Sequence, residues 1–421
     1  MISKTMKYEE IFRSVKAASQ GLALVHERAK SRILCEIADA ILERKDRLLA
    51  ANAEDLWSMD RRDPLYDRLL LTESRLADIA CDMCRVAGLP SPSGGVIEAR
   101  TLPNGLRLRR VSVPFGVVGV IYEARPNVTF DVFSLCFKTG NACILKGGSN
   151  AARSNEAIVR LIHGVLAGWP ECRPSVVELL PPTHEAAEAL LSAVGYVDLC
   201  IPRGGKSLIR FVRDTARVPV IETGAGVVSA YFDTDGDVSM GARIINNAKT
   251  RRVSVCNALD CLIVHRSRLA DLPTLCAPLA ASNVVIYADA AALSALRGRY
   301  PDRLLREVES DSYGTEFMDY AMSVKTVPSF DAALGHIAAY GSGLSECIIT
   351  QNAAAAHEFE RRVDAACVYW NAPTSFTDGG QFGLGAEIGI STQKLGPRGP
   401  MGLEALTTYK WIIEGEGQVR E

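Results

Sequence analysis

Residues 113–152 read VPFGVVGVIYEARPNVTFDVFSLCFKTGNACILKGGSNAA. A short apolar run, Gly116–Glu123, leads into a helical pattern over 129–139, and a second apolar run follows at Ala142–Lys146. Runs that are apolar on both faces and joined by a helix predict a parallel sheet with right-handed crossovers. The alternation continues outward. A helix is expected over Ser149–Leu166, strands at 176–180, 197–201 and 218–222, and helices at 184–193 and 206–216. It resumes at 228–233, 237–249 and 259–265 and continues to about 370, beyond which the tail from 371 is rich in glycine and poor in periodicity. Upstream, residues 8–60 read as helix, with Ile33, Ile37 and Ile41 on one stripe at helical spacing, and a second helix covers 73–87. The turn chemistry of LPSPSGG at 89–95 breaks that pattern, and Pro103-Asn104-Gly105 centres a hairpin within residues 99–113.

The chain has 421 residues, enough for two or three domains. Hydrophobic residues make up 48% and charged residues 23%, which fits a globular protein and excludes a disordered or collagen-like chain. The 47 basic and 49 acidic residues leave a net charge of −2, so no global basic field is present to hold nucleic acid. No apolar run reaches membrane-spanning length, and Glu9 and Glu10 stand where a signal peptide would be apolar. Cys136, Cys143, Cys200, Cys261 and Cys347 lie inside apolar runs and read as buried, reduced thiols. Cys81 and Cys84 have CxxC spacing, but no second pair follows and their segment is helical, so they read as a helix face. The six histidines form no metal motif, and no metal is expected.

Candidate chemistry sits in loops. IPRGGKS at 201–207 follows a strand and opens a helix, so its backbone N–H groups are placed to meet a phosphate; without GxGxxG or a P-loop pattern the signal is weak. Cys256 falls between a helix and a strand, close in sequence to Lys249, Arg251 and Arg252, whose charge would favour a thiolate. The competing reading is an ordinary half-buried thiol. Glu222 ends the run VPVI before Thr-Gly-Ala-Gly and reads equally as a base or as an exposed strand-end residue. Asn127, just after a strand, reads as an oxyanion donor or as a helix N-cap, a role Thr129 would also fill.

Together with 113–152, the segments AANAEDL (50–56), DRLLLTESRL (67–76), IPRGGKSLIR (201–210), PVIETGAG (219–226), NAKT and SVCNALD (247–260), TEFMDYAMSVK (315–325) and the long GQFGLGAEIGISTQKLGPRGPMGLEALTTYKW (380–411) resemble the aldehyde dehydrogenase superfamily. Within it they are most similar to the branch that reduces an acyl phosphate. The resemblance covers nearly the whole chain. It implies an α/β, aldehyde-dehydrogenase-like fold of two Rossmann-like domains with a β oligomerisation arm. The implied dinucleotide-binding domain spans 1–97, 114–225 and 371–384; the catalytic domain spans 226–370; the arm spans 98–113 and 385–421.

By the same resemblance Cys256 matches the nucleophile and Asn127 the oxyanion amide. Lys146 would lie beside the adenosine ribose, Gly204, Gly205 and Lys206 would form the nucleotide turn, and Glu316 would hold the nicotinamide ribose. Arg125, Lys394 and Arg398 are candidates for the substrate's phosphate and carboxylate, which arginine binds through a bidentate fork. Arg251-Arg252-Val253 stands where many relatives have Gln-Arg-Pro, and Ser229 where relatives often have histidine. Glu222 corresponds to the glutamate that activates water in hydrolytic members, and here it orients the site or acts as a base.

The implied reaction is NADPH-dependent reduction of L-glutamyl 5-phosphate to L-glutamate 5-semialdehyde and phosphate through a cysteine thioester, the second step of proline biosynthesis. The implied setting is a cytoplasmic homo-oligomer, supplied with substrate by a separate glutamate 5-kinase. The alternative is a hydrolytic, non-phosphorylating aldehyde dehydrogenase of the same fold that uses Cys256 and Glu222. A third reading, a catalytically silent dinucleotide-binding protein, is disfavoured by the presence of both Cys256 and Asn127.

Overall fold

A computed structural model describes residues 8–420 apart from Ser58, Arg62, Asp63, Ala124, Ala225 and Ser310. In chain order, helices α1 (Glu9–Leu22), α2 (Glu27–Glu43), α3 (Lys45–Leu56), α4 (Pro64–Leu69) and α5 (Glu73–Gly88) precede strands β1 (Val96–Thr101) and β2 (Arg107–Pro114). The alternating part follows: β3 (Val117–Tyr122), α6 (Pro126–Thr139), β4 (Ala142–Lys146), α7 (Ala152–Leu166), β5 (Val177–Leu179), α8 (His184–Leu191), β6 (Leu199–Arg203) and α9 (Lys206–Thr215). Then come β7 (Ser229–Phe232), α10 (Val238–Thr250), β8 (Cys261–His265), α11 (Leu272–Cys276), β9 (Val285–Ala288), α12 (Ala290–Leu296), β10 (Leu305–Glu307) and β11 (Ala321–Val327). The chain closes with α13 (Phe330–Tyr340), β12 (Ser345–Ile349), α14 (Ala353–Arg362), β13 (Cys367–Trp370), β14 (Ile390–Ser391), β15 (Gly399–Pro400) and β16 (Thr407–Glu414).

Two compact units result: Met1–Thr223 with Gly383–Gly389 and Met401–Glu421, and Gly224–Phe382 with Ile390–Pro400. In the first, a parallel sheet runs in the order β5-β4-β3-β6. Every residue of β3 is buried, as expected of a central parallel strand. The register sets Ile121 opposite Lys146 and Tyr122 opposite Arg203, so these side chains collect at the carboxyl edge of the sheet, where open α/β sheets bind ligands. The helix α6 begins at Pro126, a residue already set for the first helical position, and ends at Gly140, whose φ of 86° is one that glycine adopts without strain. Asn127 therefore lies within the first turn and is not the cap, which frees its side chain.

The expected single helical region over 8–60 is three helices. His26 caps α2 by accepting the N–H of Arg28, and Arg44 separates α2 from α3. The Ile33, Ile37 and Ile41 stripe is fully buried as its spacing implied. The expected strand at 218–222 reduces to one isolated bridge between Cys200 and Val220, because Pro219 has no N–H to extend a ladder. Five cysteines expected in the core, Cys136, Cys143, Cys200, Cys261 and Cys347, are buried, while Cys81 and Cys84 are exposed on α5. No helix among the described residues is long and apolar enough to cross a membrane.

A three-stranded antiparallel sheet, β1-β2-β16, also belongs to the first unit. Its hairpin turn holds Gly105 at φ 86°, the left-handed geometry anticipated for Asn104-Gly105. Ile97, Tyr409, Trp411 and Ile413 are exposed on it, and Arg110 stacks over Tyr409 and Trp411.

The second unit is a seven-stranded, wholly parallel sheet in the order β10-β9-β11-β8-β7-β12-β13. Residues 371–382 group with it, whereas the sequence reading placed 371–384 with the dinucleotide domain. The cause is a set of hydrogen bonds. Thr374 Oγ1 donates to the Asn257 carbonyl at 3.0 Å, and the Thr377 hydroxyl pairs with Ser345 Oγ at 2.6 Å. The segment 385–421 also divides: 390–400 joins the second unit through the β14–β15 pair, while Ile388 and Met401 bond to each other within the first.

Candidate active site

In the second unit, Cys256 lies in the loop between α10 and β8, which enters the sheet at the amino ends of its strands. It is half-buried and packs against Val228, Leu344 and Ile390. The rule that ligands gather at carboxyl ends would not have found it. The loop is held from several sides. Asn257 is buried, and its Nδ2 donates to the Thr377 carbonyl at 2.8 Å. Gly226 presses against the nucleophile's own backbone: a Cβ there would sit 1.8 Å from the Cys256 carbonyl oxygen and 2.9 Å from its Cβ. The Gly226 N–H donates to Glu316 Oε1 at 3.1 Å.

Gly226→Ala is therefore expected to displace the Cys256 backbone. Overpacking against backbone atoms costs about 1–3 kcal/mol and should lower kcat at least about tenfold. Steady-state rates and a melting curve test this, and a variant with unchanged kcat would show that the loop yields without consequence.

Lys249, expected to favour a thiolate, is spent elsewhere. Its ammonium is fully buried and lies 4.0 Å from Asp260 Oδ1. Asp260 Oδ1 accepts the Phe317 N–H at 3.1 Å and Oδ2 accepts the Val228 N–H at 3.4 Å. Burial pushes the Asp260 carboxyl up to about 7 and the Lys249 ammonium down to about 8; each partner's charge opposes the other's shift. Arg251 and Arg252 are exposed.

Glu316 is half-buried, and its Oε1 is engaged by Gly226. Lys394 and Arg398 are brought together by Asp364. Arg398 Nη1 donates to Asp364 Oδ1 at 2.8 Å, and Lys394 pairs with Oδ2. These two hydrogen bonds, from Lys394 first, hold the Asp364 carboxyl below its ordinary range. Ser229 stands at the start of β7, and its N–H donates to the buried Glu346 at 3.0 Å.

In the first unit, Arg125 is half-buried immediately before α6. The Asn127 Nδ2 donates to Asp131 Oδ2 at 3.1 Å, one helical turn on. Thr129 Oγ1 donates to Asn155 Oδ1 at 2.9 Å and shares a 2.7 Å hydrogen bond with the Tyr122 hydroxyl. Lys146 ends β4; burial lowers its pKa, and Glu123 opposes that shift. Beside it, Gly147, Gly148, Asn155, Leu179 and Pro181 help line a cavity of about 210 Å³. A Cβ on Gly147 would come within 2.3 Å of Asn155 Nδ2, so glycine lets the chain pass closely there.

The Gly204-Gly205 turn opens α9, but it does not present all its N–H groups to a phosphate. The Gly205 N–H donates to Glu123 Oε2 at 3.0 Å, and a Cβ on Gly204 would lie 2.5 Å from the same oxygen. Lys206, the first residue of α9, is exposed. Glu222 is half-buried, and the next residue, Thr223, donates through Oγ1 to the Pro202 carbonyl at 2.6 Å.

Sequence reasoning missed Glu123, Asp131, Asp260 and Asp364. Asp131 was detectable at i+4 from Asn127, and Asp260 lies within SVCNALD. Nothing in the local pattern marked Glu123 or Asp364. No cluster able to hold a metal ion occurs among the described residues.

No family model matches the chain. Among solved structures, an acetylating aldehyde dehydrogenase from Geobacillus thermoglucosidasius matches at a TM-score of 0.71 and 16% identity, over 100% of this chain and 99% of that one. At that identity the likeness concerns the fold alone, and it defines the class: an aldehyde-dehydrogenase fold. Two further matches are much nearer. Gamma-glutamyl phosphate reductase of Bacteroides thetaiotaomicron is 59% identical over 409 residues, covering 97% of this chain and 98% of that protein. The crystal structure of gamma-glutamyl phosphate reductase from Thermotoga maritima is 39% identical with a TM-score of 0.93, covering 98% and 99% of the two chains. The chain belongs to the gamma-glutamyl phosphate reductase family.

Proposed function

We propose that this oxidoreductase converts L-glutamyl 5-phosphate to L-glutamate 5-semialdehyde and phosphate with NADPH, in proline biosynthesis. The observation that carries the reading is the 59% identity over 97% of the chain to a protein of that name. The pinned loop around Cys256 supports it. In the proposed reaction the Cys256 thiolate attacks the acyl carbon. The carbon–oxygen bond to phosphate breaks, the electron pair leaves with phosphate, and a thioester remains on Cys256. Asn127 donates to the carbonyl oxygen as charge develops there. The bound nicotinamide supplies the hydride that reduces the thioester. Collapse of the resulting hemithioacetal returns the sulfur's electron pair to Cys256 and releases the aldehyde.

The first unit is proposed to bind the cofactor. Its cavity beside Lys146 and the close approach at Gly147 suit a ribose, and the Lys146 and Lys206 charges suit the extra phosphate of NADPH. The Glu123 carboxylate accepts the Gly205 N–H and also acts on Lys146, so a phosphate bound by either lysine competes with it. Glu316 would hold the nicotinamide ribose, and Arg125, Lys394 and Arg398 the substrate's anionic groups. A role for Lys394 and Arg398 requires Asp364 to share them. Glu222 is assigned an orienting role, because a base that activates water would divert the acyl group to free acid.

The β1-β2-β16 sheet, with its exposed Tyr409, Trp411 and Ile413, is proposed as the arm of a cytoplasmic homo-oligomer, which sedimentation measures. A separate glutamate 5-kinase would supply the labile acyl phosphate, and a pull-down joined to a coupled assay tests direct transfer.

The deciding assay runs the reaction backwards. Glutamate 5-semialdehyde, in equilibrium with pyrroline-5-carboxylate, is given with NADP⁺ with and without phosphate. NADPH formation that requires phosphate is expected. Formation independent of phosphate would replace this reading with the hydrolytic one and make Glu222 the base.

A further inference from the structure

We propose that Asp131 is a positioning residue for catalysis, holding the Asn127 amide in the one orientation that leaves an N–H for the substrate. The proposal rests on the reading in which Asn127 donates to the acyl oxygen. The two residues lie one turn apart on α6, with Asn127 Nδ2 donating to Asp131 Oδ2 at 3.1 Å.

An amide has one acceptor oxygen and a nitrogen with two donors. A carboxylate only accepts, so it selects the nitrogen and rejects the flipped amide. One N–H is then committed to Asp131 and the second remains for a ligand. The backbone beneath is already fixed. Pro126 and Val128–Thr139 of α6, apart from Asp131, are buried, and Thr129 is tied to Tyr122 and Asn155. Rotation of the Asn127 side chain is the freedom left in that turn, and Asp131 removes it.

The surroundings of Asp131 suit this task. Burial pushes its carboxyl up to about 7, Arg203 at the end of β6 opposes that rise, and Asp82 of α5 and Glu387 add to it. Above that value the carboxyl is ionised and only accepts, which is the state that selects the Asn127 nitrogen, and the nearby Arg203 favours it.

The test is a double-mutant cycle in the full-length protein, with NADPH binding and a melting curve as folding controls. Asn127→Ala should lower kcat by roughly 10²–10³-fold, the usual effect of losing an oxyanion donor. Asp131→Leu should lower kcat by about tenfold or more while KM stays within about twofold, because the orientation lost matters in the transition state. The double variant should be no slower than Asn127→Ala. Asp131→Asn, which can donate as well as accept and so does not reject the flipped amide, should fall between wild type and Asp131→Leu. If Asp131→Leu does not fold, Asp131→Ala takes its place. A strong Asn127→Ala effect with a silent or additive Asp131 variant overturns the positioning role alone. A wild-type kcat for Asn127→Ala overturns the oxyanion reading and this proposal with it.

Discussion

Cys256→Ser is expected to lower the phosphate-dependent rate in both directions by on the order of 10³-fold or more, the scale seen when an enzyme loses its nucleophile. A thiol ionises at about 8.5 and a nearby cation lowers that, whereas a serine hydroxyl stays protonated without a base at hand. An oxygen ester is also a poorer hydride acceptor than a thioester. Cofactor binding should be unchanged, because the residues proposed to hold the adenosine half, Lys146 and Gly204–Lys206, belong to the first unit. Stability should change little, since the side chain is half-buried and serine is close in shape. Rates, cofactor titration and a melting curve give all three quantities. A variant keeping more than about a tenth of the rate would remove Cys256 as the nucleophile. The neighbouring Cys261 is a poor substitute: it is buried, and burial pushes its thiol up to about 12.

Lys249→Met should have the largest effect on stability, about 3–5 kcal/mol, the usual cost of removing one member of a buried ion pair. Asp260 would then face burial without its cation, while still accepting the Val228 and Phe317 N–H groups. The loss should depend on pH. Asp260 already has a raised folded pKa of about 7, and without Lys249 it rises further. A raised carboxyl contributes stability below its unfolded value, near 3.9, and loses it as pH rises through the folded value. The wild type loses stability with the same slope only up to about pH 7, where Asp260 ionises beside Lys249, whereas the variant goes on losing it above that pH. The gap between variant and wild type should therefore be widest near pH 8 and narrow toward pH 5.5. Urea unfolding at the two pH values tests this. A loss under about 1 kcal/mol, or one independent of pH, would show that water reaches the pair.

Much of the first unit was legible. The run Val117–Tyr122 announced a strand buried on both faces, Ala142–Lys146 matched its strand residue for residue, and Ile33, Ile37 and Ile41 marked one helix stripe. The starts of helices were less legible. A proline inside a periodic segment signals both a stop and a first helical position, and at Pro126 it was the latter, which moved Asn127 from cap to first turn. The glycine-rich tail carried a motif without periodicity. Its division between the two units depends on hydrogen bonds from Thr374 and Thr377 to residues over thirty positions away or more.

The sequence by itself determined the parallel α/β class, the family and the cysteine to test. Strand periodicity and motif strings are contiguous, so local order is enough to reveal them. Only the tertiary structure decided what each charged group faces. Glu123 occupies the Gly205 N–H, Asp364 joins Lys394 to Arg398, and Asp260 ties Lys249 to backbone groups 32 and 57 residues away. Those partners are set by sheet register and by how loops close over strand ends. Both depend on the whole packed unit, and an ionisable side chain takes its pKa and its role from that packing.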